Sequence, residues 1–258
     1  MRQSVLDQHG YVELVESWGS DETIVSSARM STQKGFQGWG PHCQICKRPL
    51  GEGSNWITCP NEECEGADVE PGDEKLLRFL YEHAHSTPFE FAGLTIEVQA
   101  PIFVFREWMR HRVPFGYSEA SSRYSPLPDM NYIPTVERLM MGNDGKNKQA
   151  GTIAGTAPLT EDGARLFQHM LQGSYDAAEA LYQSALAAGV SKELARVHLP
   201  VGRYSKMRAT GNLRGWLAFL TLRTAPAAQW EMRSYAEVVA SMLRECFPRT
   251  MLLFDGSR

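Results

Sequence analysis

The chain has few cysteines, no long apolar run and no surplus of positive charge, and each shortage excludes something. Of five cysteines, four lie between positions 43 and 64 and the fifth is Cys246. A disulfide framework spread over the fold is therefore excluded, and the tight cluster points to a metal before disulfides. No stretch approaches the roughly 18 apolar residues that a membrane helix needs. The opening "MRQSVLDQHGYVELVESWGS" lacks the apolar segment of a secretory signal. The expectation is a cytoplasmic protein with no membrane partner. With 26 Lys and Arg against 30 Asp and Glu, the net charge of −4 argues against broad nucleic-acid binding. It leaves room for a local basic pocket that takes a small anion.

What is present is enough apolar material, 43% of 258 residues, for one large domain or one domain with an insertion. "YVELVES" reads as a strand, and "DETIVSSARMS" as a short helix that Asp21 could cap, with Glu22 in its first turn. Leu76, Leu77, Leu80 and Tyr81 recur at helical spacing in "DEKLLRFLYEHA". In "LTIEVQAPIFVFREW", Leu94, Ile96, Val98 and Ala100 alternate with polar residues, the pattern of a half-buried strand, and Ile102, Val104 and Phe105 extend it. Residues 141–159 read as a mobile loop. Thr160 caps a long helix that ends at Gly189, Ser191 caps a short one, and two further helices lie around "NLRGWLAFLTLR" and "PAAQWEMRSYAEVVASMLRECF". Strands early and helices late indicate an α+β fold, with a mixed antiparallel sheet and several helices.

Residues 36–72 break this pattern. They are rich in Gly, Pro and turn residues and show almost no helical period, so they read as an insertion with its own organising device. "CQIC", twelve residues and "CPNEEC" place Cys43, Cys46, Cys59 and Cys64 as two close pairs, a spacing that can bring four thiolates to one tetrahedral Zn²⁺. His42 is an alternative ligand, and an iron–sulfur cluster is a further option. A closed four-thiolate site would be structural, and the expectation is a small zinc-ribbon-like segment within the larger domain.

The densest chemistry is in "RHRVPFGYSEASSRYS", Arg110–Ser125. Pro114 and Gly116 break regular structure inside it, and the sequence places it at a strand-to-helix junction. This stretch resembles the signature of the flavin-dependent thymidylate synthases, the class without a catalytic cysteine. "SSARMST" (26–32), "HSTPFEF" (85–91), "ARVHLP" (195–200) and "NLRGWLAFLTLRTAPAAQWEMR" (212–233) resemble further segments of that family, in its order. The resemblance covers most of the chain outside 33–72. It departs at four places. One extra residue separates "RHR" from Ser121, which a bulge near Phe115–Tyr117 would absorb. Glu107 stands where glutamine is usual, Ala218 where a polar residue is common, and Phe91 where the family has histidine.

The resemblance implies reductive methylation of dUMP to dTMP, with methylenetetrahydrofolate as carbon donor, FAD as the hydride carrier and NADPH as reductant. It assigns the nucleotide to Glu107, Arg110, Glu119, Ser121, Ser122, Arg123, Arg196 and Arg223. It assigns FAD and folate to Ser31, His85, Thr87, Arg110, His111, Arg112, Glu119, Asn212 and Arg214. Arginine suits a phosphate because its planar fork donates bidentate, charge-assisted bonds. With Cys246 read as core, activation of the uracil must be electrostatic, and the resemblance gives that catalytic role to Arg223. It also implies a homotetramer with shared active sites. A related flavin- and folate-dependent enzyme that transfers another one-carbon group, such as hydroxymethyl, and a non-catalytic zinc-ribbon binding protein are the competing readings.

Overall fold

The computed structural model describes residues 1–43, 45–46, 48, 50, 59, 61, 63–64, 69–70, 72–141, 150–153 and 156–257. Five strands form one antiparallel sheet in the order β1 (Arg2–Ser4), β2 (Tyr11–Trp18), β5 (Gly93–Pro101), β7 (Tyr204–Asn212), β6 (Gly116–Glu119). A separate two-stranded ribbon pairs β3 (His42–Cys43) with β4 (Val69–Glu70). The expected α+β class, antiparallel sheet and small Cys-bearing segment are all present.

The sheet buries one face. Leu94, Ile96, Val98 and Ala100 of β5 join Met207 and Ala209 of β7 and Val12 of β2 in the core. Against them pack α3 (Ile102–Trp108), α7 (Leu213–Arg223) and α8 (Trp230–Cys246). Their large fully buried side chains include Trp108, Trp216, Phe219 and Tyr235. Each such side chain contributes about 1.5–3 kcal/mol by leaving water. The polar residues of β5 and β7 take the other face, where Thr95 bonds Thr210 and Arg208 pairs with Glu97.

Helices α2 (Asp73–Glu82) and α5 (Glu161–Ala187) lie where the periodicity places them, with Leu77 and Leu80 buried and the Thr160 side chain accepting from the Gly163 N–H. Four readings change. The strand expected to run through Ile102–Phe105 stops at Pro101, and a helix begins. Its free first-turn amides are satisfied across the chain, Ile102 N–H by the Arg203 carbonyl and Phe103 N–H by the Val201 carbonyl. Residues 110–125 therefore follow a helix and enter an edge strand, rather than joining a strand to a helix. Strand β7, with no expected counterpart, alternates buried Met207 and Ala209 with exposed Lys206 and Arg208. Ser191 precedes the short helix α6 (Lys192–Ala195) without a side-chain cap bond. The loop expected at 141–159 falls partly outside the described residues.

The fourth change concerns α1 (Asp21–Arg29). Its cap is Ser20, in a reciprocal capping box with Thr23. Asp21 is buried and caps a different helix, α9 (Pro248–Gly256), accepting from the Arg249 and Thr250 amides and the Thr250 hydroxyl. A carboxylate at a helix N-terminus satisfies orphan donors and complements the helix dipole. Asp21→Ala should cost about 2–3 kcal/mol, as loss of charged hydrogen bonds at a buried site does. Thermal unfolding should show a fall of roughly 5 °C for a chain of this size.

Candidate active site

Two groups of the expected residues gather along strand β6 and its flanks. The first sits where α3 ends and α7 ends. The Arg223 guanidinium donates through Nη1 to Glu107 Oε2 (2.5 Å), through Nη2 to the Glu107 carbonyl (2.8 Å) and through Nε to His111 Nε2 (2.8 Å). All three guanidinium nitrogens are engaged, so the cation is held in one orientation. Its side chain is only 16% exposed, while that of Glu107 is 43% exposed. The carboxylate is thus a screened counter-ion that reaches solvent, and the cation is the enclosed partner.

Because a guanidinium can only donate, His111 Nε2 must accept, and the ring proton resides on Nδ1. Burial and the adjacent Arg223 charge depress the His111 pKa from 6.5 to about 4, and Glu107 opposes them weakly. The imidazole is neutral at pH 7 and offers Nδ1–H as a donor. Its ring lies edge-on to Phe219 at 5.0 Å, and its carbonyl accepts from the Tyr117 hydroxyl at 2.6 Å. The sign of the linkage is fixed: between about pH 6.5 and pH 4 the unfolded chain binds a proton that the folded ring does not. Stability should therefore fall as pH drops through that window, and His111→Gln should flatten the fall. Thermal unfolding of both proteins across the window checks this.

The second group lies at the far end of β6. Arg196 donates to the Oγ of buried Ser122 at 2.8 Å, and Arg123 pairs with Glu193 at 2.9 Å. Burial raises the Glu119 carboxyl, although its side chain keeps solvent access, and Ser205 and then Arg196 oppose the rise. Ser121 opens onto a cavity of about 270 Å³, shared with Tyr124, Ser205 and Lys206. Two guanidiniums and two serine hydroxyls at one end of a strand form a donor set for a phosphate.

The remaining expected residues are spread more widely. Arg110 and Arg112 flank His111 and are exposed, with no side-chain hydrogen bond or ion pair among the described residues. Asn212 caps α7 through the Gly215 amide, and Arg214 pairs with Glu90 at 2.6 Å. That pair places Arg214 beside the 3₁₀ turn Thr87–Phe91, whose next residue, Ala92, accepts from the Leu213 N–H. Phe115 packs at the position a side chain on Gly211 would occupy, and Pro114 and Phe115 do the same at Gly215, which brings Pro114 and Phe115 against this junction. His85 and Thr87 are exposed there. Ser31 is exposed after α1, with its hydroxyl on the Ala28 carbonyl, and among the described residues no hydrogen bond or ion pair joins it to the others.

The expected bulge at Phe115–Tyr117 is not in the strand. Pairing with β7 is continuous from Gly116 opposite Thr210 to Glu119 opposite Met207. Sequence reasoning missed Tyr117 and Phe219 as walls of the His111 pocket. It gave Glu107 as a nucleotide contact; in the fold the Glu107 side chain holds Arg223 and stays partly exposed.

The comparisons decide the family. Residues 13–249 match the family model described as thymidylate synthase complementing protein. The chain belongs to the flavin-dependent thymidylate synthase family. It is 33% identical over 254 residues to the flavin-dependent thymidylate synthase of Thermosipho africanus, covering 98% of this chain and 94% of that one. Against the Streptomyces coelicolor enzyme of the same name it is 38% identical over 213 residues, with 83% and 74% covered. Among solved structures it resembles a UMP/dUMP methylase, PolB, from Streptomyces cacaoi bound with 5-Br dUMP, at 29% identity and a TM-score of 0.73 over 98% of this chain and 97% of that one. The chain is thus an enzyme of this family.

The four-cysteine cluster is compact. Cys43 and Cys64 Sγ are 3.7 Å apart, Cys46 and Cys59 Sγ 3.5 Å, and all four sulfurs lie within 4.8 Å of one another. His42, the alternative ligand, is not a member of the group. Among the described residues no helix is long and apolar enough to cross a membrane.

Proposed function

We propose that this enzyme methylates dUMP to dTMP, taking the carbon from methylenetetrahydrofolate, with FAD reduced by NADPH. The observation that carries the reading is the enclosed Arg223 cation, fixed by Glu107 and His111 where α3 and α7 end. A fixed guanidinium beside the uracil imide favours its ionised form and raises electron density at the ring carbon that accepts the methyl group. No cysteine nucleophile is needed for that. The phosphate falls to Arg123, Arg196, Ser121 and Ser122, with Glu119 beside them, at the other end of β6.

The residues fit a flavin. Arg110 and Arg112 carry cationic side chains with no partner among the described residues, as an anionic pyrophosphate requires. Neutral His111 can donate from Nδ1, while Asn212, Arg214, His85 and Thr87 line the neighbouring junction. Bound FAD supplies the reducing equivalents, and the protein supplies orientation and charge. Folate shares this side, with His85 and His111.

Ser31 lies apart from these residues within one chain, so a site completed by a second copy suits it, and we assign a homotetramer. The exposed apolar residues of α5, Leu166, Met170 and Leu181, at 60%, 64% and 57% exposure, offer a face for that contact. The whole chain is read as one synthase domain carrying an insert at 36–72, in which the four thiolates hold Zn²⁺. Reduced thiols accord with the cytoplasm. The test is turnover: dUMP, methylenetetrahydrofolate, NADPH and FAD together should yield dTMP, and omission of any one should abolish it. A protein that takes up no flavin from solution would sink the reading.

A further inference from the structure

The insert is anchored at its foot. The neck strands β3 and β4 pair Cys43 opposite Val69 and His42 opposite Glu70. Below them the two ends of the insert cross so closely that a Cβ on Gly72 would lie 2.1 Å from the Gly40 carbonyl oxygen and 2.2 Å from that of Trp39. Only glycine fits there. The next residue, Asp73, is fully buried and opens α2. Its amide bonds the Gly38 carbonyl, one carboxylate oxygen accepts from the Gln37 amide at 2.6 Å, and the other accepts from Arg29 Nε at 2.7 Å. Arg29 is the last residue of α1, and Ser31 follows two positions on. One buried carboxylate thus ties the end of α1, the entry to the insert and the start of α2, whose far end leads to His85 and Thr87.

At the top of the neck, the sulfur geometry distinguishes the chemistry. A disulfide needs about 2.05 Å between sulfurs. A tetrahedral ion with metal–sulfur bonds of about 2.3 Å sets its thiolates about 3.8 Å apart. The closest pairs here are 3.5 and 3.7 Å. The backbone turns back toward the site, with Cys43 N–H on the Arg48 carbonyl and Asn61 N–H on the Cys59 sulfur. Among the described residues of the insert, Cys43, His42 and Leu50 are buried beside the site.

We propose that one Zn²⁺ on Cys43, Cys46, Cys59 and Cys64 holds the neck closed and, through the Asp73 clasp, fixes the Arg29–Gln37 segment, so that zinc occupancy sets the affinity for flavin. The proposal rests on the flavin assignment of Ser31, His85 and Thr87 made above. It makes the knob a metal-dependent brace of the cofactor site. The ion itself performs no chemistry, since a closed four-thiolate shell leaves no open position.

The test uses the full chain, purified under reducing conditions. Metal analysis should give about one Zn²⁺ per chain, as a four-thiolate site holds. Cys59→Ser should lose the zinc and weaken FAD binding, read by flavin fluorescence, about tenfold or more, the range of ordinary coupling between sites. Asp73→Asn should keep the zinc and lose FAD affinity to a similar degree. Should Cys59→Ser fail to fold, chelator stripping of the wild-type protein followed by Zn²⁺ add-back replaces it, and FAD affinity should fall and return. Protein that carries no zinc, or carries iron instead, overturns the metal site. Zinc-free protein that binds FAD as tightly as before, or Asp73→Asn with unchanged FAD affinity, overturns the coupling. All these readouts are independent of dTMP formation, so zinc-dependent FAD binding without turnover would defeat the proposed reaction and leave the brace standing.

Discussion

Replacing Arg223 with alanine should lower kcat by about 10²–10³-fold or more, the loss seen when a preorganised charge aimed at a reacting centre is removed. KM for the nucleotide should change far less, because the phosphate is assigned to Arg123 and Arg196 at the other end of β6. The reason is the geometry around the guanidinium. Glu107 and His111 hold all three nitrogens, so the cation needs no reorganisation when a pyrimidine arrives. Arg223→Lys keeps a charge but cannot span both partners, and it should recover little of the rate. FAD absorbance and far-UV circular dichroism should match the parent protein. A variant that retains turnover within a few-fold would remove Arg223 from its catalytic role. A proportional rise in KM with kcat intact would make it a binding residue instead.

The second large effect concerns stability. Arg203 is fully buried. It donates to Glu179 Oε2 at 2.5 Å and to the Leu127 carbonyl at 3.0 Å, with Asp129 at 3.5 Å and the Tyr182 ring 5.8 Å below it. Its own carbonyl receives the first amide of α3. One side chain therefore joins α5, the loop after the serine-rich motif and the start of β7. Truncating it leaves a largely buried carboxylate and a carbonyl without their partner. Removal of one member of a buried pair costs about 3–5 kcal/mol, chiefly for that reason. Arg203→Ala should lower the unfolding midpoint by roughly 10 °C, at about 2–4 °C per kcal/mol for a chain of this size. A urea titration should show a lower midpoint with the same slope. A fall of no more than about 2 °C, where 6 °C or more is expected, would show that water replaces the lost bonds.

These two arginines show what a sequence does and does not disclose. Strand β5 was legible because its alternation runs unbroken through Leu94–Ala100. Strand β7 alternates as clearly from Met207 to Ala209, but Gly202 and Gly211 at its ends imitate a loop. Asp21 reads as a local helix cap, yet the amides it satisfies are 228 and 229 positions away. The roles of Arg123, Arg196 and Arg223 came from motif order, not from spacing. The motif could not give the pairing of Arg223 with Glu107, which lies 116 positions away. Glu107 was visible as a departure from the family pattern, and only the fold shows it to be the counter-ion of the arginine. The cysteine cluster was the most legible feature of all, since four thiolates at metal spacing leave few alternatives. Its tie to α1 through Asp73 was invisible, because Asp73 resembles any acidic residue in a first helical turn.

The central claim is that an electrostatically activated uracil receives a reduced one-carbon unit at this site. The most direct measurement is the mass of the nucleotide product after incubation with dUMP, methylenetetrahydrofolate, NADPH and FAD. The account predicts a product with the mass of dTMP, formed only when the folate is present. A product with the mass of the hydroxymethyl nucleotide, or unchanged dUMP from enzyme with flavin bound, would contradict it.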